Sequence, residues 1–174
     1  MLKRNTIMKF LSLATFMLIM IQGCGVRYSL GGSKIPDNMK TYSVSFFENI
    51  APLVSNTLSQ NFTEGLKERI RTQSRLSQVN QDGDAHFEGV ITAYTIAPAA
   101  VEAGVDRAAL NRLSITVKVK YINKTDDTGQ SDFEQSFTQF KEFRGEVSNQ
   151  ESTLNTEIIK MLTEDIFNKA FNNW

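Results

Sequence analysis

Hydrophobic and polar residues alternate along this chain with two different periods, and the switches between them mark out its elements. Over residues 41–47, Tyr42, Val44 and Phe46 fall on one side and Ser43 and Ser45 on the other, the period of two expected of a half-buried strand. The segment from Asn49 to Pro52 interrupts it. Val54, Leu58, Phe62, Leu66 and Ile70 then recur every fourth residue, with Gly65 on the same side and Gln60, Glu64, Lys67, Glu68 and Arg71 opposite. That spacing predicts an amphipathic helix through about residue 72. Residues 76–79 form at most a short strand, and Asn80-Gln81-Asp82-Gly83-Asp84 is a turn signal. Residues 86–96 read as a strand with Phe87, Ile91 and Ala93 in one register, followed at 97–109 by a loop of small apolar residues around Gly104.

The clearest strand is 110–122, where Leu113, Ile115, Val117, Val119 and Tyr121 point one way and Arg112, Ser114, Thr116, Lys118 and Lys120 the other. A turn at 123–129 leads to a partner strand over 133–143, whose phenylalanines (Phe133, Phe137, Phe140, Phe143) change spacing near Gln139 and suggest a bulge there. From about 152 to 172, Leu154, Ile158, Met161, Leu162, Ile166, Ala170 and Phe171 form a wide apolar stripe, broadened by Ile159, Phe167 and Trp174. A helix this apolar is expected to be buried against a sheet, or against a sheet plus a partner. The order β–α–β–β–β–β–α predicts an α+β fold: two helices packed on one face of a mixed, mostly antiparallel four-stranded sheet, five strands at most, with the other face uncovered.

The first 23 residues follow a different logic. Lys3, Arg4 and Lys9 precede an uncharged apolar run over 10–21, and Ile21-Gln22-Gly23-Cys24 follows. This is the layout of a secretory signal ending in a lipobox. Ile21 supplies the branched residue and Gly23 the small one that expose Cys24 to acylation. As a helix, the run reaches only about 18 Å against a hydrocarbon core of about 30 Å, too short for a spanning anchor. The expected lipidation site is therefore Cys24, carrying a covalent diacylglyceryl group and a further N-acyl chain such as palmitate. Several chains together hold a protein firmly where one does not, at about 0.8 kcal/mol per buried methylene. Neither an aspartate nor an acidic cluster follows Cys24, which favours the periplasmic face of the outer membrane. The expected domains are a cleaved signal peptide at 1–23, a lipidated tether at 24–40, with turns at Gly31-Gly32 and Pro36-Asp37, and one α/β domain at 41–174.

Charge removes one class of function. The whole chain has 19 basic and 19 acidic residues. Without Lys3, Arg4 and Lys9 the balance becomes 16 against 19, mildly acidic, where a nucleic-acid binder needs a basic excess. Cys24 is the sole cysteine, so a disulfide framework and a cysteine metal site are excluded. His86 is the sole histidine, expected to be exposed at the start of a strand, and no motif surrounds it. The adjacent Glu164 and Asp165 face apart on a helix and read as solvated charges, so no catalytic residue and no metal site is expected. Two surfaces are candidates for binding. Arg112, Lys118 and Lys120, with Arg107 just before them, form a basic row suited to the phosphates of an anionic glycolipid; a solvated face or a lysine-protected edge strand would look the same. The loop holding Pro98, Val101, Gly104 and Val105 is a candidate for insertion into a partner, or simply a flexible hairpin tip.

Read in order, several segments resemble one family. They are Cys24 with Tyr28 and Gly31-Gly32 after it; Ala51-Pro52-Leu53-Val54 with Leu58-Ser59-Gln60 and Phe62-Thr63-Glu64; and Phe87-Glu88-Gly89-Val90-Ile91-Thr92-Ala93-Tyr94. Asn111-Arg112-Leu113-Ser114-Ile115-Thr116-Val117, Phe133-Glu134-Gln135-Ser136-Phe137 and Asp165-Ile166-Phe167-Asn168-Lys169-Ala170 complete the set. Over nearly the whole mature length the chain is similar to the Bacteroidetes-type branch of the LptE family, lipopolysaccharide-assembly lipoproteins of the outer membrane. The resemblance implies a two-helix, four-stranded α/β sandwich without enzymatic activity. It also implies two partners, an LptD-type β-barrel that the protein plugs and helps to assemble, and lipopolysaccharide on its way to the surface. The alternative reading is an accessory lipoprotein of another envelope machine, a peptidoglycan-synthase activator or an auxiliary subunit of a lipid transporter.

Overall fold

The computed structural model describes residues 35–53, 57–99 and 110–172. Its elements are β1 (Thr41–Val44), β2 (Glu48–Asn49), α1 (Leu58–Gln73), β3 (Ser77–Gln78), β4 (Ala85–Pro98), β5 (Leu110–Asn123), β6 (Phe133–Arg144) and α2 (Glu151–Phe171), with a 3-10 turn at Val147–Asn149 before α2. The sheet runs β3-β1-β4-β5-β6, and β2 pairs with β4 beyond the end of β1. β1 is parallel to β3 and β4, and β2 is parallel to β4. The long β4–β5 and β5–β6 ladders are antiparallel.

The expected two helices and mixed sheet are present, but the expectation of four mostly antiparallel strands is corrected to six strands, joined by three parallel pairings and two antiparallel ones. The first strand breaks because Phe47 N–H bonds to Thr63 Oγ1 of α1 at 3.1 Å instead of to a neighbouring strand. The short 76–79 segment does join the sheet, with Ser77 N–H donating to Lys40 O and Val79 N–H to Tyr42 O, both at 2.9 Å. The bulge also lies elsewhere. β5 and β6 stay in unbroken register, whereas the β4 register shifts between Ile91 and Ala93, so Tyr94 rather than Ala93 returns to the core. Phe140 falls out of step with the other phenylalanines because it sits on the opposite face of β6, 45% exposed.

The core lies between the helices and one sheet face. Leu58, Phe62, Leu66 and Ile70 of α1 are fully buried, as are Leu113, Ile115, Val117 and Val119 of β5 and Ile158, Leu162 and Ile166 of α2. Full burial of each such side chain contributes about 1.5–3 kcal/mol. Of the expected stripes, Val54 and Trp174 lie outside the described residues. Two glycines permit close approaches. A Cβ on Gly65 would stand 2.8 Å from Ile159 Cγ2, so this glycine sets the α1–α2 distance. A Cβ on Gly89 would stand 2.1 Å from Lys118 O and 2.7 Å from the Phe47 ring, which lies against the bare backbone there. Phe47 in turn meets Phe62 with ring centroids 5.0 Å apart, tying the edge of the sheet to α1.

Candidate functional site

The face of the sheet away from the helices is polar, and the strand alternation dictates its membership. Because Leu113 to Tyr121 take the core side at odd positions, Arg112, Ser114, Thr116, Lys118 and Lys120 are placed together on the open side, as the sequence predicts. β5 is a central strand, so these lysines do not guard an edge. Each cation has a carboxylate on a neighbouring strand. Arg112 Nη2 lies 2.6 Å from Glu142 Oε1, Lys120 Nζ lies 2.7 Å from Glu88 Oε1, and Lys118 Nζ is in contact with Glu134. The register causes this: Arg112 is directly opposite Glu142, and Lys120 is opposite both Glu88 and Glu134. The hydrogen bond from Lys120 holds the Glu88 carboxyl below its usual range, that from Lys118 does the same for Glu134, and Glu88 raises Lys120.

Around these pairs the face is structured. The Arg112 guanidinium carbon sits 4.1 Å from the centroid of the Phe140 ring, a cation–π contact that covers part of that exposed phenylalanine. The hydroxyls of Thr116 and Thr138 meet at 2.9 Å. A shallow depression of about 430 Å³ is lined by Ser45, Phe46, Glu48, Lys118, Lys120 and Glu134, among others. His86 is not exposed as expected. Its Nδ1 is 2.8 Å from Ser43 Oγ and its Nε2 3.7 Å from Glu88, because parallel pairing sets Ser43 beside it. Asp165 is likewise held rather than free, accepting from Gln139 Nε2 at 2.6 Å, and Glu164 lies 3.7 Å from Arg69.

Pro98 belongs to β4, opposite Asn111, and not to the loop, since Ala99 N–H still bonds to Leu110 O at 2.7 Å. Val101, Gly104, Val105 and Arg107 lie outside the described residues, as does Cys24. Where the hairpin meets α2, Tyr94 donates its hydroxyl proton to Glu151 Oε1 at 2.9 Å, and burial followed by that carboxylate pushes the phenol up to about 12. On the helix side, a groove of about 560 Å³ runs over Gly65 and Ile159 between Glu64, Glu68, Arg69 and Lys160. Among the described residues, no three or more His, Cys, Asp or Glu side chains converge on a possible metal site, and no helix is long and apolar enough to cross a membrane. Sequence reasoning found the cations but not their partners. The available signal was Glu88, Glu134 and Glu142 in the outward register of the adjoining strands.

Two helices over one face of a mixed sheet, with a charge-paired polar face opposite, define the class: a small two-layer α+β module. The family model for LptE, described as lipopolysaccharide-assembly, matches residues 39–170. The chain belongs to the LptE family. Among solved structures, a hypothetical protein from Chlamydia trachomatis is similar at 7% identity with a TM-score of 0.55, covering 78% of this chain and 99% of that one. A minor lipoprotein from Acinetobacter baumannii is similar at 16% identity with a TM-score of 0.48, covering 75% and 91%. The rare lipoprotein B from Shewanella oneidensis is similar at 11% identity with a TM-score of 0.45, covering 71% and 89%. The Chlamydia likeness is one of fold alone. Comparison with curated proteins gives no sequence match.

Proposed function

We propose that this protein is a non-enzymatic outer-membrane lipoprotein of lipopolysaccharide assembly. In this reading Cys24 is acylated after removal of 1–23, residues 24–40 tether the domain to the periplasmic leaflet, and the domain plugs an LptD-type β-barrel and assists its assembly. The observation that carries the reading is the family match over 39–170, which takes in every element of the sheet and nearly all of α2. The open face supports it. Three cations neutralised in place by three glutamates can be buried against a polar barrel wall without stranding a charge.

The same face is the candidate for glycolipid contact. Exposed ion pairs contribute only about 0–1 kcal/mol each, so a multiply charged phosphate can displace Glu88 or Glu134 and take Lys118 and Lys120 for itself. Arg112 has the fork geometry for a phosphate, and Arg107 belongs to the same proposed set. The test is copurification from membranes through a tag on this chain, with mass-spectrometric identification of the stoichiometric partner. A very large β-barrel is the expected companion, and its depletion phenotype is a misassembled barrel with greater sensitivity to large hydrophobic antibiotics. Recovery of a peptidoglycan synthase or a lipid-transport complex in place of a barrel overturns the assignment.

A further inference from the structure

Where β5 turns into β6, a cavity of about 320 Å³ opens on the helix side of the sheet. Tyr121 and Phe133 line it from the strands, Lys169 and Phe171 from the end of α2, and Gln130 and Asp132 from the turn between the strands. Tyr121 is 1% exposed, yet its hydroxyl has no hydrogen-bond partner among the described residues. The other two buried tyrosines are satisfied, Tyr42 donating to Lys67 O at 3.1 Å and Tyr94 to Glu151 Oε1 at 2.9 Å. A buried phenol ordinarily finds a partner, so the exception calls for one. Burial, and then the carboxylates of Asp132 and Asp126, push the Tyr121 phenol above its ordinary range, so it stays a donor at neutral pH.

Three further polar groups around the cavity are uncommitted among the described residues. Asp132 Oδ1 accepts the Asn123 N–H at 2.7 Å, and Oδ2 is left over. The Gln130 side-chain amide makes no hydrogen bond there. Lys169 has no carboxylate partner, and its Nζ stands 5.9 Å from the centroid of the Phe133 ring, at the outer limit of a cation–π contact. The turn itself is fixed, because Asp126 accepts from the Thr128 and Ser131 N–H groups at 3.0 and 2.9 Å. The half-buried Phe133 ring is fixed too, stacked on Tyr121 with centroids 5.3 Å apart.

We propose that this cavity is a saccharide site, taking one pyranose ring of a glycan. The chemistry of the lining selects that class. One carboxylate and one ammonium carry no excess of positive charge, which a phosphate would need. Polar groups on every side are wrong for an acyl chain, since each would be buried without a partner. A sugar ring offers both donors and acceptors, and it matches a phenol, an amide, a carboxylate oxygen and an ammonium that all lack partners. Its C–H face suits the free part of the Phe133 ring. The volume lies at the lower end of the range of about 300–1,000 Å³ for small-molecule sites, enough for a single ring. Tyr121 takes the core side of β5, so the cavity is on the opposite face of the sheet from Arg112, Lys118 and Lys120, and sugar contact here is separate from phosphate contact there.

Two probes separate the sources of such a ring in a bacterial envelope. One is the core oligosaccharide of lipopolysaccharide, freed of lipid and phosphate; the other is the disaccharide-peptide unit of peptidoglycan. Each is titrated into the purified full chain in detergent and followed by backbone amide chemical shifts. A ligand with about a dozen non-hydrogen atoms in contact is expected to bind with a Kd of about 1 mM. The shifts are expected at residues 121, 130–133 and 169–171. Saturation by the first probe assigns the site to the glycolipid, and saturation by the second to the cell wall. Tyr121→Phe keeps the ring and removes one hydrogen bond to the sugar, and should weaken binding about three- to tenfold. Its urea midpoint should not fall, because the hydroxyl it removes has no partner in the fold. Lys169→Ala, at an exposed position of α2, should weaken binding by a similar factor. Absence of saturation by either probe at about twenty times the expected Kd leaves the cavity to water and overturns the proposal. Shifts confined to other residues, or unchanged affinity in both variants, overturn it as well. None of these outcomes touches the barrel assignment, which rests on copurification.

Discussion

Thr63 Oγ1 accepts the Phe47 N–H at 3.1 Å and donates to the Ser59 carbonyl at 2.8 Å, so one side-chain hydroxyl on α1 satisfies the amide at which the first strand breaks. Thr63 is buried. Thr63→Val keeps the shape and removes both bonds, leaving a buried N–H without an acceptor, which costs about 1–3 kcal/mol. Thr63→Ser retains the hydroxyl and should recover most of that loss. Urea unfolding of the three chains checks this. Equal midpoints for wild type and Thr63→Val would show that the strand break does not depend on the hydroxyl.

How far the fold was legible in the sequence depends on whether alternation and burial agree. β5 keeps a strict period of two on a sheet covered on one side, and every odd residue from Leu113 to Tyr121 is buried as read. In β6 the phenylalanine spacing mimics a bulge, because Phe140 on the open face is an aromatic accommodated by the Arg112 guanidinium rather than by the core. The true bulge near Thr92 hides within Ile91-Thr92-Ala93, where alternation continues unbroken while the pairing slips. The site divides in the same way. A single strand reveals that Arg112, Lys118 and Lys120 share a face, but which carboxylates stand opposite is a matter of cross-strand register, and no one segment encodes that.

Gly65 and Ile159 predict a non-additive pair. Alanine at an exposed helix site would gain about 1 kcal/mol over glycine, yet here its Cβ meets Ile159 Cγ2 at 2.8 Å. Overpacking of this kind costs about 1–3 kcal/mol, so Gly65→Ala should destabilise on balance. Ile159→Ala removes the opposing methyl and leaves a space, and the double variant should be less destabilised than the sum of the two single ones. Thermal or urea unfolding of the four chains measures the coupling. Strict additivity would mean that the helices adjust freely and the glycine does not set their separation.

Asp84 should give the protein an acid-side stability limit. Its Oδ2 accepts from Lys40 N–H at 2.8 Å and Thr41 N–H at 2.9 Å, and these bonds, Lys40 first, hold the carboxyl below its ordinary value. A carboxyl whose pKa is lower in the folded state binds its proton more readily when unfolded. Its stabilisation is therefore complete above the unfolded value of about 4 and is lost as pH falls through the folded one. Urea midpoints should be flat from pH 7 to about 5 and decline below about 4. In Asp84→Ala the midpoint should already be lower at neutral pH, and the further decline on acidification should be shallower. Parallel acid profiles for the two chains would assign the loss to other carboxylates.

The ion pairs of the open face make opposite predictions for the two halves of each pair. If phosphate contact proceeds by displacing a glutamate, the carboxylates are competitors and the lysines are ligands. Glu88→Gln and Glu134→Gln remove the competing charge from Lys120 and Lys118 while keeping a polar side chain of the same size. Both should tighten binding of purified lipopolysaccharide, and the gain should shrink at high salt, where exposed charges are screened over about 8–10 Å. The set Arg112→Glu, Lys118→Glu and Lys120→Glu should abolish that binding and, because it leaves six carboxylates on the face proposed to lie against the barrel wall, should also weaken copurification of a barrel. Since surface pairs of this kind contribute little to folding, thermal stability should change by no more than about 1 kcal/mol per pair in the glutamine variants. Titration of lipopolysaccharide against the glutamine variants decides between exchange and a purely structural face. Unchanged affinity there, together with unchanged affinity in the charge-reversed set, would assign these pairs to the barrel wall alone.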